Sequence, residues 1–302
     1  GKNAGLDDRI PMCGVPHHAV NVYLDKLIDK GFKVAICEQV EDPKDAKGVV
    51  KREVIQVVSK GTVMNNESLD ENTNNYIGSI IDINHAYVIS YTDISTGEIN
   101  VKIVEHDNDK LLMEILSIGL NEIIIKSNLN KSIIDILRNK YKIIISLYDN
   151  ELDVEEYKYV FGGVDDERLI ISIKHLLSYL IDTQKRSLSH LQKVKVIDND
   201  LYLKMDANTK RNLELTESLR LKNRNYSLLW LLDKTKTAMG SRMLKNWIEN
   251  PLIDKTEINK RYDIVESLLE EFILKEELRA LLFEVYDLER LCGRIGYGNA
   301  NA

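Results

Sequence analysis

The sequence predicts a multi-domain chain of two classes, α/β up to about residue 188 and all-α beyond it. Three observations carry this. Short β-branched runs are separated by tight turns between residues 76 and 147, helical periodicity is nearly unbroken from residue 206, and the net charge reverses between the two stretches. The 302 residues leave room for two or three domains, and a composition of 44% hydrophobic and 29% charged residues excludes disorder and fibre.

Residues 1–62 read as a small α+β unit. Val20, Tyr23, Leu24, Leu27 and Ile28 recur at helical spacing, and Gly31 follows as a C-terminal stop. Phe32, Val34 and Ile36 alternate as a strand, and Val54 to Val58 form a second β-branched run. Pro11, Gly14 and Pro16 make a constrained loop ahead of the helix. Residues 63–75 are polar, Asn-rich and aperiodic, the signature of a linker.

The unit at 76–188 opens with strands at Tyr76 to Ile83, Ala86 to Ile94 and Glu98 to Glu105, joined by turns so short that neighbours must be antiparallel. Helix (109–118), strand (122–126), helix (132–141) and strand (142–147) follow. A helix from about Glu167 to Ser187, with Leu169, Ile173, Leu176, Leu177 and Leu180 on one face, closes the unit. This order is the one found in ribonuclease-H-like folds. Residues 189–302 read as helices: Leu213, Leu215 and Leu219 in one, Leu228 to Leu232 in the next, and Met239, Met243, Leu244 and Trp247 in a third ended by Pro251. Asp254 caps a helix striped by Ile258, Tyr262, Val265 and Leu269, and the pattern runs on from Leu274 to Leu291. No closing element is visible after it, and Met239, Met243 and Trp247 are expected in the core.

Several classes are excluded. The longest apolar runs fall far short of the roughly 18 residues that a membrane-spanning helix needs. The start, Gly-Lys-Asn-Ala-Gly, has neither an initiator Met nor a secretory signal, so an internal part of a longer cytoplasmic protein is expected. Cys13, Cys37 and Cys292 are too scattered for a disulfide framework or a thiolate zinc site, and the adjacent His17 and His18 do not share a helical face, so no metal site is expected. The phosphate-loop, dinucleotide-loop, nucleophile-elbow and H-E-x-x-H motifs are missing; Gly293, Gly296 and Gly298 have the wrong spacing and follow a helix.

Two constellations remain. Asp82 and Asp93 end the first two strands of the middle unit and Asp182 lies on its last helix. Two-metal nucleases need carboxylates that converge, whereas Asp also favours strand ends as a turn former. A metal-dependent nuclease is therefore the rival reading, although the centre of the first strand, Ile77 to Ile81, offers no carboxylate. Charge is segregated too: residues 63–184 hold 10 Lys/Arg against 21 Asp/Glu, a net of −11, while 185–248 hold 14 against 6, a net of +8. Lys210, Arg211, Arg242 and Lys245 belong to that basic run, which either follows a phosphate backbone or is a solvated helix face.

Ile10-Pro11-Met12-Cys13-Gly14-Val15-Pro16-His17-His18-Ala19-Val20, followed by Val34 to Gln39 and Asp42-Pro43, resembles the mismatch-binding domain of the MutS family of bacterial DNA mismatch repair proteins. Met205-Asp206-Ala207-Asn208-Thr209-Lys210-Arg211-Asn212-Leu213-Glu214-Leu215, Met239-Gly240-Ser241-Arg242-Met243-Leu244-Lys245-Asn246-Trp247 with Pro251, and Asp287-Leu288-Glu289-Arg290 are similar to that family's core domain. The resemblance implies a small α+β N-terminal unit, a ribonuclease-H-like α/β connector and then a helical core domain. It also implies recognition of mispaired or unpaired bases in double-stranded DNA by a homodimer that recruits MutL under the control of ATP and Mg.

By the same resemblance Lys2 and Arg9 would be phosphate partners and Met12 an apolar groove contact. The alternative keeps Met12 packed in its own domain and makes His17 a helix cap. Asp206, Thr209 and Arg211, with Gly240, Ser241 and Arg242, are expected to pack and cap the core helices. The family's Phe-x-Glu wedge and its ATPase domain are expected outside these 302 residues, so this chain is expected to be no enzyme. In a third reading the chain is a pure scaffold whose acidic connector docks a basic surface of MutL.

Overall fold

The computed structural model describes residues 13–42, 44, 48–64, 69–198 and 201–298. The chain divides into two compact units, residues 1–60 and 61–302.

In the first unit, α1 (Val20–Asp29) buries Leu24 and Ile28 and is followed by Gly31 in the left-handed region, φ +83°. β1 (Val34–Gln39) pairs antiparallel with β2 (Arg52–Val58), with an irregular register between Ile36 and Cys37. Phe32 lies before the strand rather than in it.

In the second unit, β3 (Ile77–Asp82), β4 (Ala86–Asp93), β5 (Glu98–Glu105), α2 (Asn108–Ile118), β6 (Glu122–Ile125), α3 (Lys131–Asn139), β7 (Ile144–Leu147), α4 (Lys158–Phe161), α5 (Glu167–Gln184) and β8 (Lys195–Val196) build a sheet in the order β7-β6-β3-β4-β5-β8. β4 is antiparallel to both neighbours and the other pairings are parallel. Without β8 this is the ribonuclease-H-like order. β8, only two residues long, was not legible as a strand and lies past residue 188. The sheet is covered on both faces, as parallel pairing requires. Ile77 and Ile124 pack towards Ile173, Leu176, Leu177 and Leu180 of α5, while Ile80, Ile123 and Ile125 pack towards Leu111 and Ile115 of α2 and Ile133 and Leu137 of α3. Each such side chain contributes roughly 1.5–3 kcal/mol on burial. Polar groups beneath α5 are paired: the Ser79 hydroxyl lies 2.6 Å from His175 Nδ1, and His175 Nε2 lies 2.8 Å from the Tyr148 carbonyl oxygen. A neutral ring that accepts at Nδ1 and donates from Nε2 satisfies both, and burial holds its pKa below the usual histidine range.

The helical region comprises α6 (Ala207–Asn212), α7 (Leu228–Leu232), α8 (Ala238–Glu249), α9 (Lys255–Glu270), α10 (Phe272–Phe283) and α11 (Leu288–Gly296). Asp206, Ser227, Thr237, Asp254 and Asp287 each accept a backbone N–H from the first turn that follows. The sequence pattern departs from the structure in three places. Leu213, Leu215 and Leu219 are not helical, because Glu214 and Lys222 take positive φ and the Glu214 carboxylate accepts the Leu219 N–H. The run from Leu274 to Leu291 is two helices, broken before the Asp287 cap. Tyr262, Val265 and Leu269 are more than half exposed, as is Met243, and Trp247 lies open under the Arg261 guanidinium, 3.7 Å from its ring centre. No helix among the described residues is long and apolar enough to cross a membrane.

Candidate nucleic-acid interface

Lys2, Arg9 and Met12 lie outside the described residues. The four basic candidates of the helical region do not form one face. Arg211 is exposed on α6 and Lys245 half-buried on α8, and neither forms a salt bridge among the described residues. Lys210 is buried and donates from Nζ to Ser117 Oγ on α2 at 2.7 Å; burial lowers its pKa while Glu249 and Glu114 work against that. Arg242 is also turned inward, its side chain 4% exposed. Its Nη1 donates to Asp287 Oδ2 at 2.7 Å and to the Glu71 carbonyl oxygen at 2.8 Å, and its Nη2 to Asp287 Oδ1 at 2.8 Å and Glu289 Oε2 at 2.7 Å. Burial opposes the charge on Arg242, but these carboxylates hold its pKa above the usual arginine range. Arg242 and Lys245 thus share a helix without sharing an environment.

Sequence spacing does not place the partners Glu71, Asp287 and Glu289, with Arg290 beside them, in one cluster. The only signal was that two of the family-like motifs carry opposite charges at their polar positions. Arg290 is 2% exposed and donates from Nη2 to the Thr73 carbonyl oxygen at 2.7 Å, while its Nε and Nη1 meet no hydrogen-bond partner among the described residues. Burial lowers its pKa, and the largest opposing field comes from Asp93.

Asp93 therefore has a structural place. It is 1% exposed, with Oδ1 accepting the Ser95 N–H and hydroxyl and Oδ2 accepting the Asn75 N–H and the Asn74 amide. Because β3 and β4 are antiparallel and Tyr87 is opposite Asp82, the two aspartates occupy opposite ends of the sheet. At about 3.4 Å per residue that is roughly 20 Å, against the 3.5–4 Å between cations in a two-metal site. Asp82 accepts the Asn84 N–H and sits 3.1 Å from His106 Nε2, on an open depression of about 670 Å³ lined also by Asp107 and Asp109. Its charge is wrong for a phosphate backbone. Among the described residues no group of three or more His, Cys, Asp or Glu is placed to hold a metal ion.

The basic run keeps a solvent-facing remainder. Arg224 is paired with Asp233, whereas Arg211, Arg220, Lys222, Lys234 and Lys236 are exposed on α6 and the turns around α7. This set faces solvent, whereas Lys210 and Arg242 do not.

Family models match along the chain in order: MutS domain I at residues 1–67, MutS domain II at 75–192 and MutS domain III at 208–302. The chain is 48% identical over 301 residues to the DNA mismatch repair protein MutS of Bacillus licheniformis. It is 45% identical over 302 residues to the proteins of the same name from a Bacillus cereus strain and from Bacillus mycoides. Each alignment covers 100% of this chain and 34% of the relative, so the chain spans about a third of their length.

Proposed function

The chain belongs to the MutS family, and from that premise we propose that it supplies the DNA-contacting and coupling part of a repair protein that recognises mispaired or unpaired bases in duplex DNA. The observation that carries this reading is the ordered run of MutS domains I, II and III along nearly the whole sequence. Lys2 and Arg9 meet phosphates, Met12 enters the minor groove, and the exposed set around Arg211 adds a sequence-independent electrostatic term. Lys210 and Arg242 are assigned to intramolecular pairing. The divisions at 62, 75 and 188 stand as proposed domain limits. For the whole protein we propose a homodimer that recruits MutL under ATP and Mg control; no catalytic step falls to these residues.

Fluorescence anisotropy with labelled homoduplex and G·T-mismatched duplex tests this on the 302-residue chain. Weak, strongly salt-dependent binding with little mismatch preference is expected, because the sequence contains no Phe-x-Glu wedge. Tight mismatch-selective binding, or none at low salt, overturns the assignment. ATP turnover above blank would overturn the non-catalytic part.

A further inference from the structure

Gly293 and Gly296, which match no phosphate-binding loop, have another use. A Cβ on Gly293 would stand 2.2 Å from the Ser95 carbonyl oxygen, and one on Gly296 would stand 3.0 Å from His190 Cβ. On the facing side, Gly97 (φ +73°) has the His190 carbonyl oxygen 2.3 Å from its own Cβ position. Gly293 and Gly97 thus let three backbones meet where no side chain fits, α11, the β4–β5 turn and the segment after α5, while Gly296 rests closely on the His190 side chain. His190 sits among them. Its Nε2 donates to the Ile94 carbonyl oxygen at 2.8 Å, and its ring meets Tyr297 edge-on, 6.5 Å between centroids.

Independent contacts secure both ends of α11. Tyr297, one residue beyond the helix, is 2% exposed and belongs to the same apolar cluster as the α5 leucines. Its hydroxyl donates to Gln184, and the Arg186 guanidinium lies 5.3 Å from its ring centre. At the other end Arg290 grips the Thr73 carbonyl, while Arg242 ties Asp287 and Glu289 to the Glu71 carbonyl.

We propose that α11 with Tyr297 is a latch through which the sheet of domain II and the first helices of domain III move as one body, so that a displacement of the helical region reaches the β4–β5 turn and the end of α5 without loss. Glycine contacts transmit movement because they leave no flexible side chain between the backbones, and Tyr297 adds a pin seated in the core of the other domain. This concerns transmission within the chain and holds whether or not the chain binds DNA.

Hydrogen exchange on the 302-residue chain tests the latch with Tyr297→Phe, Gly293→Ala and, as control, Gly119→Ala, which strains a left-handed glycine at the end of α2 where nothing lies within 4 Å of its Cβ position. With Tyr297→Phe and Gly293→Ala, residues 94–98, 184–191 and 288–297 are expected to exchange at least about tenfold faster together, a subglobal opening, while β3 and β6 keep wild-type rates. Gly119→Ala should not release those three segments as a group. Acceleration confined to 288–297 means that the helix only frays, and overturns the proposal. Equal acceleration of β3 and β6 in Tyr297→Phe means ordinary unfolding, and overturns it too. If Gly293→Ala does not fold, Tyr297→Phe alone decides.

Discussion

Replacing Arg242 by Ala separates an inward-facing arginine from a DNA-facing one. The side chain is 4% exposed and bridges Asp287, 19% exposed, and Glu289, 45% exposed. Removing one member of a buried pair costs roughly 3–5 kcal/mol, because the other charge stays buried. Here Asp287 keeps the Arg290 backbone N–H, and half-exposed Glu289 contributes at most about 1 kcal/mol after solvent screening, which places the loss near 3 kcal/mol. For a unit of this size that lowers Tm by roughly 6–12 °C. Differential scanning calorimetry of wild type, Arg242→Ala and Arg242→Met reads the loss, and the Met variant should resemble Ala because the carboxylates remain unpaired. Arg242→Met combined with Asp287→Leu should recover part of it, since apolar replacement of a whole buried pair is nearly neutral. An Arg242→Ala protein melting within about 0.5 kcal/mol of wild type, as surface substitutions do, with a reduced salt slope for DNA, would instead place Arg242 on a DNA-facing surface.

Three further outcomes follow from the same contacts. Burial holds the His190 pKa below the usual range while the Ile94 carbonyl pulls the other way, so the unfolded chain takes the proton first; stability is full above a pH of about 6.5 and declines below it. His190→Asn should flatten the decline of Tm with falling pH, and an unchanged slope would remove His190 from the account. Burial would raise the Asp233 pKa, but hydrogen bonds from Ser241, Thr235 and Arg224 bring it down to about 2. Its stabilisation is therefore present above the unfolded value of about 3.9, is lost as pH falls from there towards about 2, and should be smaller in Ser241→Ala acid titrations followed by circular dichroism. Asp93→Ala should cost roughly 2 kcal/mol by stranding buried donors, and the wild-type chain should leave labelled DNA intact with Mg²⁺ or Mn²⁺. Metal-dependent cleavage abolished by that substitution would restore the nuclease reading.

Where runs were long and the turns between them tight, the fold could be read from the residues. The strands at 77–82, 86–93 and 98–105 are bounded by Asn84-His85 and Ser95-Thr96-Gly97, and α5 is an 18-residue amphipathic helix. β8 escaped because two residues carry no period and its partner, β5, lies about 95 positions earlier. The helix assumed through Leu213 to Leu219 failed because side-chain oxygens of Glu214, Ser218 and Asn223 capture nearby N–H groups, a local competition that leucine spacing does not reveal. Met243 and Trp247 failed differently: an apolar stripe fixes which face of α8 is apolar, but not whether another element in this chain covers it.

For the basic residues, charge spacing could not separate a polyanion contact from an internal pair. Arg242 and Lys245 stand three apart on α8, yet one is enclosed by Asp287, Glu289 and Glu71 and the other reaches solvent, because the first faces α11 and the segment that holds Glu71. That difference depends on residues 45 and 171 positions away, which no local window samples. The same holds for Asp93, whose geometry suits a turn former and whose field reaches Arg290 almost 200 residues on. The G-S-R and D-L-E-R motifs are thus halves of one buried contact: Arg242 is held by Asp287, Glu289 and the Glu71 carbonyl and Arg290 by the Thr73 carbonyl, so neither arginine is turned towards solvent.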